Sequence, residues 1–223
     1  MKEIIPIIVS SISLLISLYI FFATYLRPAR IKISIGNSLL VFSSRLGGAS
    51  DPKLIGISFY LPITFLNWSH RGGEINQVRM VLGRPNNSIN YSDMIWANFS
   101  QVTGDGNNLK VEIQGVAQPL AVPEKSSVSK MIRFNWSPYM NPKLEVQPGQ
   151  YELMIFGWTE KVEKEGEPNL YAKTSFLIDE EIHDEYQRCI REDLNTPILI
   201  ALGDSRLPNV SLTRKGVKKT FGK

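Results

Sequence analysis

The chain has 223 residues, 43% hydrophobic and 21% charged, with a net charge of +4; this excludes a disordered, highly charged polypeptide and leaves room for one domain with a filled core. Cys189 is the single cysteine and His70 and His183 are the two histidines, so an intrachain disulfide is excluded and a protein-built zinc site would need carboxylates to complete it. After Asp204 there is no acid but six cations, Arg206, Arg214, Lys215, Lys218, Lys219 and Lys223; taking these from 25 leaves 19 against 21 acids, a net charge of −2 for the rest.

Residues Ile4 to Leu26 run without a charge between Glu3 and Arg27. As a helix rising about 1.5 Å per residue they reach roughly 35 Å, more than a hydrocarbon core of about 30 Å. A cleavable signal peptide would have a shorter apolar core and small residues at a cut site. Here the run ends Phe21-Phe22-Ala23-Thr24-Tyr25-Leu26 before Arg27, and Tyr19, Tyr25 and the Phe pair suit an interfacial aromatic belt. Residues 1–29 are therefore read as an uncleaved single-pass anchor that engages membrane lipid. Ser10, Ser13 and Ser17 lie near one helical face, and Ser13-x-x-x-Ser17 would admit a second helix, hence a homodimer or a membrane partner. The competing reading has these serines bonding back to their own helix carbonyls.

Orientation follows from flanking cations, which are retained in the cytoplasm. Only the terminal amine and Lys2, partly offset by Glu3, precede the helix, whereas Arg27, Arg30 and Lys32 follow closely and Arg45 and Lys53 further on. This predicts the N-terminus outside and the domain in the cytoplasm. Asn-x-Ser triplets beginning at Asn67, Asn86, Asn90, Asn98, Asn135 and Asn209 pull the other way, toward an extracytoplasmic, glycosylating compartment. Asn and Ser are also favoured turn residues in any compartment.

Alternation then takes over. Arg30 to Ile35 carries Ile31, Ile33 and Ile35 on one parity, and Leu54 to Trp68 carries Ile55, Ile57, Phe59, Leu61, Ile63 and Phe65, the pattern of a half-buried antiparallel strand. Pro62 within it implies an edge or a bulge. Gln77 to Leu82, Val128 to Trp136 and Leu170 to Ile178 read as further strands, and Tyr151 to Trp158, apolar on both parities, as a central strand covered on both faces or one near an end of the sandwich. Glycine-, proline- and asparagine-rich turns separate them. The expected architecture of residues 30–204 is mainly β, an antiparallel two-sheet sandwich, immunoglobulin-like in the broad sense but without the Cys-Trp-Cys core. One short helix is predicted over Asp179 to Glu192, where Ile182, Tyr186, Cys189 and Ile190 make an apolar stripe and acids crowd the first turn. Pro197 to Leu202 reads as a last strand, and 205–223 as a flexible basic tail.

The candidate binding loop is Asn67 to Glu74, where Trp68, His70, Arg71 and Glu74 surround Gly72 and Gly73 and could hold an anion or a peptide carboxylate. Its plain alternative is a strand connection with a solvated Arg71 and Glu74. Glu180, Glu181, Asp184 and Glu185 lack the turned, glycine-bearing spacing of a Ca²⁺ loop and read as a solvated helical face. Arg214, Lys215, Lys218 and Lys219 could meet anionic headgroups; without interleaved aromatics they are a poor nucleic-acid site. No phosphate loop, nucleophile elbow or cofactor signature is present. The expectation is a noncatalytic, membrane-anchored module that binds a protein or ligand, with a subunit of a membrane complex and a tethered enzyme or small-molecule sensor as alternatives.

Overall fold

A computed structural model describes residues 4–45, 55–85, 91–104, 109–137, 139, 144–159, 167–192 and 196–203. The apolar run forms helix α1 (Ile4–Phe21) continued by a π-helical turn, Phe22–Leu26. It is long and apolar enough to cross a membrane, and none of it is buried against the rest of the chain. Pro28 ends it: the residue before a proline avoids the helical region, and Arg27 is extended at φ −71°, ψ 137°.

Among the described residues eleven antiparallel strands follow: β1 (Ile31–Ile35), β2 (Ser38–Arg45), β3 (Ile55–Asn67), β4 (Gly73–Gly83), β5 (Ser92–Thr103), β6 (Lys110–Val116), β7 (Leu120–Val122), β8 (Ser126–Trp136), β9 (Gly149–Thr159), β10 (Leu170–Ile178) and β11 (Ile198–Ala201). Helix α2 (Glu180–Glu192) lies between β10 and β11. The pairing runs β10-β9-β4-β5-β8-β3-β2-β11, with β1 on β3, β6 on β5 and β7 on β4.

This path makes an almost closed barrel instead of two cleanly separate sheets. Strand β5 turns the corner on one side. Its first residues pair with β4 (Arg79 opposite Ile95), and after a bulge between Trp96 and Asn98 it continues along β8 (Ser100 opposite Met131). A bulge of this kind adds a bend and extra twist. On the other side, Gly203 N–H donates to Ser175 O at 2.9 Å and Leu202 N–H to Asn37 O at 2.8 Å, linking the end of β11 to β10 and to the β1–β2 junction.

Strand β3 is the spine of the core. Ile57, Phe59, Leu61, Ile63 and Phe65 are all buried, as their shared parity predicts. At about 2 kcal/mol each, they supply roughly 10 kcal/mol of gross burial energy, comparable to the whole net stability of a domain. Pro62 is not at an edge, because β3 is flanked by β8 and by β1–β2. Nor is there a bulge, since Pro62 stays in register opposite Met131; its carbonyl accepts the Gly36 N–H from the β1–β2 junction at 2.8 Å. A Cβ on Gly36 would lie 2.5 Å from Pro62 Cγ, so only glycine fits. Strand β9 is buried on both faces as expected. Tyr151, Leu153 and Ile155 point into the main core, whereas Met154, Phe156 and Trp158 form a second cluster with Val81 and Tyr91.

Helix α2 agrees closely with its sequence signature. Asp179 Oδ1 accepts Ile182 N–H at 2.9 Å as an N-cap, and Tyr186 and Cys189 are buried while Glu180, Glu181 and Asp184 face solvent. The strands thus define two barrel ends. The near end, where the chain arrives from α1, holds the turn after β3 and the turn between β7 and β8; α2 packs over the far end. The basic tail lies outside the described residues.

Candidate functional site

The near end is organised by one side chain, Asn67, the last residue of β3. Only 3% exposed, its amide nitrogen faces three carbonyl oxygens: Arg71 O at 2.8 Å, Pro123 O at 2.9 Å and Val122 O at 3.2 Å. Its Oδ1 accepts the Ser69 N–H at 3.0 Å and the Ser69 hydroxyl. The bond to the amide two residues on is an Asx-turn, the local geometry for which asparagine is favoured. One buried amide therefore folds the 67–71 turn and fastens it to the β7–β8 turn. A second connection, Lys125 N–H to Ser69 O at 3.0 Å, locks the same pair of turns.

The segment arriving from α1 is fastened to this structure. Trp68 N–H donates to Arg30 O at 3.2 Å, and Arg30 N–H donates to Ser69 Oγ at 3.2 Å. Ala29 packs against the core over Gly73, where a Cβ would come within 2.6 Å of the Ala29 methyl. Only Arg27 and Pro28 separate the last helical residue from residues fixed to the barrel.

Of the side chains expected to form a binding loop, Trp68, His70 and Arg71 are exposed on this rigid turn, with Trp68 at 67%. Glu74 is half-buried one residue into β4, opposite Ala121, and forms no ion pair with Arg71. The structure instead brings Arg30 and Lys125 to the turn, neither of which adjacency in sequence could suggest. Lys125 adopts φ +46°, a left-handed conformation uncommon for a side chain with a Cβ. In α1, Ser17 Oγ donates to Ser13 O at 2.8 Å, the back-bonded arrangement, while Ser10 and Ser13 lie exposed. Arg214, Lys215, Lys218 and Lys219 lie outside the described residues.

Other polar groups serve the fold. Arg84 Nη2 donates to Pro148 O at 2.8 Å and Gln147 O at 3.1 Å, with its guanidinium over the Tyr151 ring. The Tyr151 hydroxyl donates to Gln147 O at 2.9 Å and accepts Gln147 N–H at 3.0 Å. On the outer face of β9 and β10, Lys173 Nζ lies 2.7 Å from the buried Glu152 carboxylate. Burial and the nearby Glu152 charge push the Tyr171 hydroxyl up to about 12 and raise that of Tyr91. Burial likewise raises the Tyr186 hydroxyl and the Cys189 thiol. Among the described residues, no three His, Cys, Asp or Glu side chains converge as metal ligands would.

A cavity lies beneath α2 at the far end, lined by apolar surface that includes Val41, Phe59, Leu82, Ile182 and Tyr186. Its space for the centre of a water-sized sphere is about 20 Å³. That is close to the minimum for one water, which the apolar lining would not hold, and far below a small-molecule site of roughly 300 Å³ or more.

No protein-family model matches the chain, and no curated protein matches it. Among solved structures, a Bordetella pertussis protein described as "Putative ApaA Protein" aligns with 82% of this chain and 98% of its own, at 8% identity and a TM-score of 0.30. An overlap that weak carries no inference about fold or activity.

Proposed function

We propose that the chain is a noncatalytic, single-pass membrane protein whose β-domain binds a protein or ligand at the membrane, on the cytoplasmic side. The carrying observation is α1 with its π-helical turn: 23 residues without a charge and mostly apolar, none buried against the described residues of the domain they precede. Such a surface needs another apolar phase, and a length of roughly 35 Å suits a bilayer. The cytoplasmic placement rests on Arg27, Arg30 and Lys32 just after the helix. Against a sensor of small molecules stands the size of the cavity beneath α2.

Within the barrel-like domain, the immunoglobulin-like sandwich reading has specific support. Grouping β1–β2, β3, β8 and the later half of β5 against β4, β9 and β10 gives the order of an A-B-E-D sheet facing C-F-G. Tyr151, near the start of the strand in the F position, bonds back to the backbone four residues upstream, as in the tyrosine corner of such sandwiches. A structural or assembly subunit of a membrane complex would make its contacts through the anchor serines and the basic tail; within α1 the Ser17 hydroxyl bonds to its own helix at Ser13 O.

The test is protease protection in sealed cells, with an epitope after Lys223 and controls for lysis and for intrinsic protease resistance. Protection until the membrane is opened supports the cytoplasmic placement. Cleavage in intact cells overturns it, and recovery of all protein in the soluble fraction overturns the anchor.

A further inference from the structure

We propose that the near end of the barrel is itself a membrane-docking surface, with the Trp68 indole seated in the phospholipid headgroup layer and Arg30, Arg71 and Lys125 facing lipid phosphates. The inference rests on the membrane-anchored reading above and extends it from the helix to the domain.

Distance makes the first argument. Ala29 and Arg30 are bound to the barrel, and the helix ends at Leu26. The three steps from Leu26 to Ala29 can cover at most about 10 Å fully extended. The headgroup layer on each side of the hydrocarbon is itself about 6 Å thick. A helix that fills the bilayer therefore leaves the near end no room to stand away from its surface.

Chemistry makes the second. Of the four tryptophans, Trp96, Trp136 and Trp158 are buried to within 9% exposure, and only Trp68 is open at 67%. Its ring adds nothing to the core, although its backbone is held by Arg30 and its neighbours Asn67 and Ser69 are fixed by a network of hydrogen bonds. A rigidly mounted exposed indole suits the interfacial layer, which accommodates an apolar ring with a polar N–H. Hydrogen bonds tie the backbones of Arg30, Arg71 and Lys125 to this turn, bringing three cationic residues to it, with Glu74 at the start of β4 and Glu124 beside Lys125 as the neighbouring acids. Because the turn is already ordered, docking requires little further loss of conformational freedom.

The full-length chain is to be reconstituted in phosphatidylcholine vesicles, with and without an anionic phospholipid, containing lipids brominated high on the acyl chain. Vesicle flotation is measured on the same samples. The expected result is flotation with a bromine-quenched emission component that Trp68→Phe abolishes. Arg71→Glu combined with Lys125→Gly should weaken that quenching, more so in anionic vesicles, while flotation is unchanged; glycine accepts the backbone conformation of residue 125. Flotation with Trp68 unquenched, and as open to aqueous acrylamide as in detergent, overturns the docking surface and leaves a soluble partner as its occupant. Failure to float overturns the anchor as well.

Discussion

Replacing Asn67 with alanine tests whether one buried amide holds the near end together. The side chain supplies two N–H donors shared among three carbonyls and accepts at least the Ser69 amide. Three hydrogen bonds at about 1 kcal/mol each give roughly 3 kcal/mol, and the stranded Val122 carbonyl, whose bond is fully buried, adds about 1 kcal/mol more. The loss is expected at about 3–4 kcal/mol, a large part of a typical net stability of 5–15 kcal/mol. Urea unfolding of the full chain in detergent, followed by tryptophan emission, would measure it. Thr64→Ala is the control, because its hydroxyl pairs with Ser129 at an exposed position and should cost about 0.5 kcal/mol or less. Asn67→Asp should be at least as damaging as alanine, since it points carboxylate oxygens at three carbonyls. An Asn67→Ala midpoint indistinguishable from that of Thr64→Ala would refute the hub.

Gly36→Ala should cost about 1–3 kcal/mol through the clash with the Pro62 ring, and Pro62→Ala should recover part of that loss in a double-mutant cycle; strictly additive effects would show that the two residues do not meet. Lys173→Met strands the buried Glu152 carboxylate and should destabilise by about 3–5 kcal/mol, while a Glu152→Leu, Lys173→Met pair recovers most of it; an unchanged unfolding midpoint for the single variant would contradict burial of the pair. Tyr171 and Tyr186 have folded-state pKa values raised above the ordinary value near 10, so the folded state binds more protons than the unfolded state in alkali. Stability should be fully present below about pH 10 and fall as pH rises toward 12; tyrosinate absorbance developing completely well below the unfolding transition would contradict this.

Elements whose apolar residues keep one parity were legible in the sequence. Strand β3, β8 and β10 were expected within two residues of their observed bounds, and α2 was expected from a 3.6-residue stripe with Asp179 at its start. Strands β5 and β6 went unread for a physical reason. The bulge after Trp96 shifts parity, so that Met94 and Trp96 fall out of step with Phe99, and β6 is largely exposed, with Gly115 in its course. Pro62 implied an edge or a bulge and neither is present: β3 stays in register with β8 through Pro62, whose carbonyl on the other side accepts the Gly36 N–H from the β1–β2 junction. The closure of the barrel was not legible because it depends on β5 serving both sides and on a bond from Gly203 to Ser175, far apart in sequence. At the candidate site, Trp68, His70, Arg71 and Glu74 are named from the composition of the loop that Asn67 begins, while the anchoring role of Asn67 and the approach of Arg30 and Lys125 depend on the pairing of β3 with its neighbours and the return of β7–β8.

Asn67 also bears on the side of the membrane, because Asn67-Trp68-Ser69 is one of the triplets that favoured an extracytoplasmic domain. The atom to which a glycan would be attached is Nδ2, and in the fold this nitrogen is buried against three carbonyls. A glycosylated Asn67 would lose one N–H and would have to house a sugar where the Val122 carbonyl lies. The serine two residues on is explained without any glycan: its backbone N–H and hydroxyl both meet Asn67 Oδ1, which is turn chemistry available in any compartment. Asn135 shows a different use of the same triplet, within β8, its Oδ1 accepting the Ser58 hydroxyl at 3.0 Å and Arg133 Nε–H at 2.7 Å. At Asn67 the triplet spacing itself is accounted for by hydrogen bonding, because Ser69 meets Asn67 Oδ1, so this triplet gives no weight to an extracytoplasmic domain; at Asn135 the bonds run to Ser58 and Arg133 and leave Ser137 out.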